Sequence, residues 1–556
     1  MDRLDFDYVI VGAGIAGCVL AYRLAADGKH KVCLLEAGPT DRNIYLHIPG
    51  GFIKAVTDPR YTWQFKTEPS QGSGGRRIAV PQGRTLGGSS AINGLNYNRG
   101  QPADFDGWAQ RGCRGWGHAD VLPYFMRTER RMGPADPSVR GRTGRLPITD
   151  TDWHHPLCDA FIATAAGFGM PSGVDYNGGQ QRGAGYFQRW IHRGWRVSAA
   201  KAFLSARDRP ANLTVLVDAQ ALSIRLEGRR ARSVVYASGP GAPTREVRAT
   251  REIILCAGAA NTPKLLQLSG IGPAPLLGDL GIPVLHARQG VGENLQDHYL
   301  VRLVARVKSL RTVNGSSRGL PLMLEILKWS LGRPSILAIS PSVAFGFVHS
   351  TDATRDPDLQ LNFTPGSYKA SVSGALDSFD GATLGAYQLR PESRGYVRAR
   401  ASDPFTDPLI QPNYLSDPLD RRTAIDGIRL VRRIFEADPL RRYIDRMDSP
   451  DPSAVTDDEL LDFARQKGNT AYHLMGTCRM GTRDDPSSVV DDRLRVIGLE
   501  GLRVADASIM PTMPSANTAA AVYMIAEKAA DLVLGREPPA PIIKTEPLLT
   551  AEAASP

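Results

Sequence analysis

The stretch "VIVGAGIAG" at residues 9–17 ends a buried β run, "DYVIVGAG", and starts a segment of helical periodicity, "IAGCVLAYRLAADG". Gly12 permits the tight turn between the two, Gly14 lets the backbone approach a pyrophosphate, and Gly17 lets helix and sheet pack closely. Ile15 and Ala16 open the helix, whose N-terminus stabilises phosphate charge. A second buried strand, "KVCLLEAG", follows and carries Glu36 and Ala37 at its end, where the carboxylate accepts hydrogen bonds from ribose hydroxyls. A carboxylate there disfavours a 2′-phosphate, so NADP is not expected. FAD and NAD both remain open on these residues alone.

Two more pieces of the same kind lie far downstream. "REIILCAGAA" at 251–260 leads into the helix-like "NTPKLLQLSG", and "GLRVADASIMP" at 501–511 precedes "TAAAVYMIAEKAADLVLG", a helical segment ending in Gly. Pieces so widely spaced imply one nucleotide-binding domain assembled from separate segments. Between them "VRLVARV", "PDLQLNFTP", "GATLGAYQLRP" and "SRGYVRARASDP" alternate as strands, and "RRTAIDGIRLVRRIFEA" has an amphipathic helical pattern. The expected fold class is α/β with an α+β second domain. A discontinuous Rossmann-like domain takes residues 1–150, 211–300 and 461–535; an antiparallel-sheet substrate domain takes 151–210 and 301–460; residues 536–556 form a loose Pro-rich tail.

Composition excludes several classes. The 556 residues exceed the size at which one core stops growing. The net charge of +10 comes from scattered arginines rather than one basic stripe, so no nucleic-acid partner is expected. The cysteines, Cys18, Cys33, Cys113, Cys158, Cys256 and Cys478, form no CxxC pair, which suits reduced thiols and offers no metal site. A strand beginning near residue 7 leaves no room for a signal peptide, and no apolar run approaches the length of about 18 residues that spans a bilayer. A cytoplasmic location is expected, and the sequons at Asn212 and Asn314 then carry no meaning. The apolar segment "GLPLMLEILKWSLG" (319–332), interrupted by Glu325 and Lys328, is expected to be packed or to act as an entrance lid. Peripheral membrane contact is the alternative.

The stretch "GRTLGGSSAINGLNYNRG" (83–100), with "GAANTPKLLQLSGIGP", "HLMGTCRMG" and "VADASIMPTMPSANTAAAVYMIAEKAADLV", resembles the glucose-methanol-choline (GMC) family of FAD-dependent oxidoreductases. The resemblance covers about residues 5–535 and is closer to the bacterial alcohol and choline dehydrogenases than to the fungal sugar oxidases. It implies FAD as cofactor. Small residues Gly87, Gly88 and Ser89, between Leu86 and Ser90, let the backbone wrap the diphosphate, flanked by Arg84, Asn93 and Gly94. It places Ala221 against the adenine, Ala257 and Gly258 at the second Rossmann-like turn, and Asp506 and Ala507 at the ribityl–phosphate region. The helix from Thr518 directs its N-terminal dipole at the flavin ring. Some relatives tether FAD covalently through a histidine in the first of these loops; here that position is Ile92, so non-covalent FAD is expected.

The resemblance also assigns chemistry to "TAYHLMGTCRMG" (470–481). His473 is paired with Asn517, 44 residues downstream, where relatives carry His or Asn. A hydroxyl is a poor hydride source until it is partly alkoxide, and imidazole is the natural base at neutral pH. Asn517 holds the same oxygen. The expected reaction takes a primary or secondary alcohol to the aldehyde or ketone, with electrons passed to a quinone-type carrier or to O2. A hydroxynitrile-type lyase on the same flavin fold and a non-catalytic flavoprotein are the alternatives. Phe363, Tyr368, Phe379 and Tyr387 are candidate lining residues for an apolar substrate. His154 and His155 are expected at the surface, and His298 is expected to be structural rather than catalytic.

Overall fold

The computed structural model describes residues 4–351, 356–369 and 375–543. Its first sheet grows from three β-rich runs. Strand β1 (Leu4–Val11) lies between β2 (Val32–Leu35) and β3 (Arg245–Leu255), all parallel, with Leu213–Leu216 beyond β2. Leu502–Val504 pairs with the end of β3, so the third Rossmann-like piece joins the first two in one sheet. The other end of β3 turns antiparallel to Arg230–Ala237, which in turn pairs with Gln220–Glu227. Val9, Ile10, Cys33 and Leu34 are fully buried, as a sheet covered on both faces requires. Helices α1 (Ile15–Ala25) and α2 (Gly258–Leu268) follow β1 and β3, and the helix Thr518–Leu534 packs against α1.

The second sheet is antiparallel. Strand β4 (Tyr299–Val307) pairs with β5 (Gly381–Gln388), and Leu359–Thr364, Ala344–Val348 and Gly183–Tyr186 continue the sheet outward. Its core is separate from the first: Leu303, Leu361, Leu384 and Val431 belong to one cluster, Ile10, Leu34 and Ile254 to another. Residues 190–204, expected with the second domain, instead bury Trp190, Val197 and Phe203 in the first core.

Helix α3 (Gly319–Ser330) departs from the expectation of packing. Only Glu325 is buried, while Leu320, Leu324 and Leu327 face solvent. Helix α4 (Pro418–Glu436) lies across β5 with Ile428, Val431 and Phe435 buried, as its amphipathic pattern predicts. His155, expected at the surface, is buried and caps the helix Pro156–Ala166: its Nδ1 accepts from the Leu157 N–H and its Nε2–H donates to the Arg311 carbonyl. All the cysteines named above are free and buried. The tail beyond Ile543 lies outside the described residues.

Candidate active site

The turn after β1 leaves room on one side only. Gly12 has φ +98, and a Cβ there would stand 2.5 Å from the Cys256 carbonyl oxygen. Gly88, φ +51, would place a Cβ 2.7 Å from the Gly14 Cα, so the loop 87–90 lies directly on the nucleotide turn. At Gly14 itself an added Cβ meets nothing nearer than 4.0 Å. Backbone is therefore pressed together behind the turn and left open in front of it, at the helix N-terminus where a diphosphate binds. The Gly87 N–H donates to the Ala13 carbonyl, and Ser90 bridges Gly87 O and the Ala199 N–H. Ser89 Oγ is used inside the loop, accepting from the Gly83 N–H. Leu86 is buried in the first core.

Glu36 sits where the sequence expects it, with both carboxylate oxygens held by backbone: Oε2 accepts from the Ala13 N–H and Oε1 from the Gly38 N–H. Burial pushes its carboxyl up to about 7, against the pull of those amides and of Arg84. Ala37 follows it. The Ala219 N–H donates to Glu36 O, which brings Ala221 close to the same end of β2. Gly258, φ +82, opens α2 after Ala257, and its N–H donates to Asp506 Oδ2. Asp506 also accepts from Thr262 Oγ1 and the Ser508 N–H. Its carboxylate therefore ties the second and third Rossmann-like turns together, beside Ala507.

One buried charge in this region has no carboxylate partner. Arg196 is 1 % exposed, and its Nη1 donates to the Ser90 carbonyl and to Asn93 Oδ1, beside Gly94, while Nε and Nη2 have no acceptor. The other buried arginines among the described residues, Arg99, Arg131, Arg140, Arg189 and Arg503, each pair with a carboxylate; Arg196 pairs with none. Burial alone pulls its guanidinium down to about 9. An uncompensated buried cation is costly unless an anion balances it. A cradle open at Gly14, at the N-terminus of α1, fits a dinucleotide diphosphate such as that of FAD.

The second constellation is built from side chains. Residues 296–298 run antiparallel to 471–475: Gln296 and Met475 exchange both backbone hydrogen bonds, and the Ala471 N–H donates to His298 O. Asp297, fully enclosed, accepts from the His473 N–H, Thr470 Oγ1 and Tyr414 Oη, while burial pushes its carboxyl up to about 6. Tyr472 is held at φ +66 immediately before His473. The imidazole rings of His298 and His473 thus meet edge to face, Nδ1 to Nδ1 at 2.9 Å.

That contact determines the proton positions. His298 Nε2 lies 2.9 Å from the Leu389 carbonyl, which can only accept, so Nε2 carries the proton and Nδ1 is a bare acceptor. His473 Nδ1 must then donate to it, leaving His473 Nε2 with a free lone pair. Asn517 Nδ2 donates to that lone pair at 3.1 Å. Asn517 is the N-cap of α5 (Thr518–Leu534), yet its side chain does not cap the helix; its Oδ1 is buried with no partner. Burial and then the neighbouring His298 hold His473 well below the ordinary imidazole range, and burial holds His298 down to about 4. Both rings are neutral at physiological pH.

The structure brings together His473, Asn517 and a residue set aside as structural, His298. Of the aromatic candidates, Tyr387 stands beside His298 with ring centroids 4.6 Å apart. Phe363 is stacked on Phe161 in the second core, and Phe379 lies under Arg306.

Models of the GMC oxidoreductase family match residues 6–300 and 391–526. The chain is 38% identical over 531 residues to an alcohol dehydrogenase [acceptor] of Pseudomonas putida, covering 95% of this chain and 96% of that protein. It is 39% identical over 541 residues to an oxygen-dependent choline dehydrogenase of Sinorhizobium fredii, covering 96% of each. Pyridoxine 4-oxidase from Mesorbium loti superimposes with a TM-score of 0.86 at 32% identity, over 96% of this chain and 99% of that one.

Proposed function

The chain belongs to the GMC oxidoreductase family, and from that premise we propose that it oxidises a primary or secondary alcohol to the aldehyde or ketone. The cofactor is FAD, which when bound supplies the hydride acceptor. The observation that carries the reading is the proton arrangement at His473. A hydrogen-bond chain running from Leu389 O through His298 to His473 Nδ1 leaves Nε2 basic, and Asn517 stands against that same nitrogen.

A substrate hydroxyl entering between His473 and Asn517 donates its proton to His473 Nε2. Asn517 Nδ2 donates to the same oxygen, which orients the carbinol C–H and favours negative charge on oxygen. The Nδ1–H of His473 continues to donate to His298 as Nε2 takes the proton, so the cation formed keeps a hydrogen-bond partner. Asn517 Oδ1, buried and unpartnered, is placed to accept from the protonated Nε2 after rotation of the amide. Tyr387 packs beside His298 and His473, and the proposed substrate is an apolar alcohol rather than a sugar. The electron acceptor is a quinone-type carrier or O2: the similar proteins include an alcohol dehydrogenase [acceptor], an oxygen-dependent choline dehydrogenase and an oxidase.

Non-covalent FAD agrees with Ile92, which is buried against Leu46, Ala55 and Ala91 and offers no nucleophile. Acid precipitation should release all of the flavin into the supernatant. The central test is anaerobic mixing with a panel of alcohols, read by bleaching of the yellow flavin absorbance. Bleaching with apolar alcohols supports the proposal, whereas a lyase would turn over its substrate with the flavin left oxidised. Reoxidation by a quinone analogue much faster than by O2 supports the carrier.

A further inference from the structure

Helix α3 is turned inside out. Its acid points in: Glu325 is 8% exposed, with Oε1 accepting from Lys328 Nζ, Oε2 from the Ile336 N–H, and its carbonyl from Ser335 Oγ. Its apolar residues point out, with Leu320 at 76%, Met323 at 65%, Leu324 at 59%, Leu327 at 54% and the adjoining Leu331 at 64% exposed. A helix packed on its own domain shows the opposite pattern, and an exposed apolar patch of this kind marks an interaction surface. Glu325 is also the one acid between Lys308 and Ser340, so its burial leaves Arg311, Arg318, Lys328 and Arg333 as the exposed charges there.

The positive field extends past the helix. Trp329 Nε1 donates to the Gly194 carbonyl, and its ring meets Trp195 edge to face at 4.6 Å. Trp195 in turn lies under Lys201, and Arg193 is exposed beside it. His192 is held below the ordinary imidazole range by burial and then by Arg130, Arg193 and Lys201. A neighbouring surface cleft is lined by Arg42, Lys201 and Arg209, with Asp41 as its acid.

We propose that α3 docks this enzyme on an anionic lipid bilayer surface, its leucines and Met323 entering the acyl boundary while the surrounding arginines and lysines meet the headgroups. Leucines flanked by basic residues and a tryptophan pair have the chemistry of an interfacial helix. A second copy of the chain fits less well, because a two-fold contact would bring two sets of Arg318, Lys328 and Arg333 into one interface. Among the described residues no helix is long and apolar enough to cross a membrane, so the contact lies in the plane of the interface. The segment after α3 continues to Pro341, which packs against Gly94 of the cofactor loop.

The test is flotation of the FAD-loaded enzyme with vesicles of phosphatidylcholine, alone or mixed with phosphatidylglycerol. At least about tenfold more protein is expected on the anionic vesicles, with binding lost as salt rises. Leu324→Glu combined with Leu327→Glu should abolish flotation and leave flavin content and turnover of a water-soluble alcohol unchanged. Equal binding to both vesicle types, or to neither, overturns the proposal. So does a concentration-dependent dimer in sedimentation velocity that the same double substitution dissolves. The wild-type salt and lipid comparison decides the matter even if the double variant does not fold.

Discussion

The cofactor cradle and the proton site are built in opposite ways. The cradle is backbone: Gly12, Gly17 and Gly88 let main chain approach main chain, and both carboxylate oxygens of Glu36 are held by amides. The proton site is side chain: His298, His473 and Asn517 come from three separate segments and meet only because 296–298 pairs with 471–475 beside the start of α5. The difference teaches what each can tolerate. A backbone site is lost through added bulk or lost counter-charge and shows itself in cofactor affinity. A side-chain site is lost through a single functional group and shows itself in rate with the cofactor still bound.

The largest expected effect is at the side-chain site. His473→Ala removes the proton acceptor and should lower kcat/KM by about 10²–10⁴-fold, with flavin content unchanged in the purified protein. Full activity in that variant would end the proposed mechanism. His298→Ala leaves the base in place but frees its ring and its Nδ1 proton, and should cost about 10²-fold in kcat. His298→Gln, which restores an acceptor for His473 Nδ1, should recover part of that loss; a purely packing role would give the two variants equal rates.

A smaller effect is expected at the cradle. Arg196→Gln removes the unpaired cation beneath the cofactor loop, and titration of apoprotein with FAD should show affinity weakened by about 10-fold or less, because the enclosed guanidinium acts on the diphosphate only through space. The thermal stability of the apoprotein should fall less than that of the FAD-loaded protein, since the cation is a burden only when no anion balances it. Equal losses in both forms would make Arg196 part of the packing and nothing more.

The smallest effect is in pH dependence, where the two histidines act together. Both are held below the ordinary value of 6.5, His298 to about 4, so the unfolded chain takes up protons that the folded chain refuses. Stability from this source is complete above pH 6.5 and is lost as pH falls through 6.5 towards 4. Denaturant midpoints should therefore decline across that window, less steeply in His298→Gln. The kcat/KM profile should likewise lack an acid limb near 6.5, because His473 stays unprotonated there.

Helix α3 shows how a correct pattern can still mislead. Its apolar spacing predicts a helix, and a helix forms over Gly319–Ser330. Which side faces the protein was settled by the bonds of Glu325 to Lys328 and to the Ile336 N–H, partners that the apolar periodicity does not reveal. His298 was set aside for a related reason. Its partner lies 175 residues away, and no local spacing announces an imidazole pair. Arg196 was one arginine among many until its neighbours were seen to hold no carboxylate.

The sequence by itself determined the nucleotide turn, the acid at the end of β2, the three-piece assembly of the first sheet and, through resemblance, the His473–Asn517 pair. These are legible because a tight turn, a close backbone approach or an alternation of burial is a demand on consecutive residues. Tertiary structure alone decided the tautomers of the two histidines, the isolation of Arg196 and the outward face of α3. Each depends on what stands opposite a side chain in space, and burial changes the free energy of a charge or a proton only once those surroundings are in place.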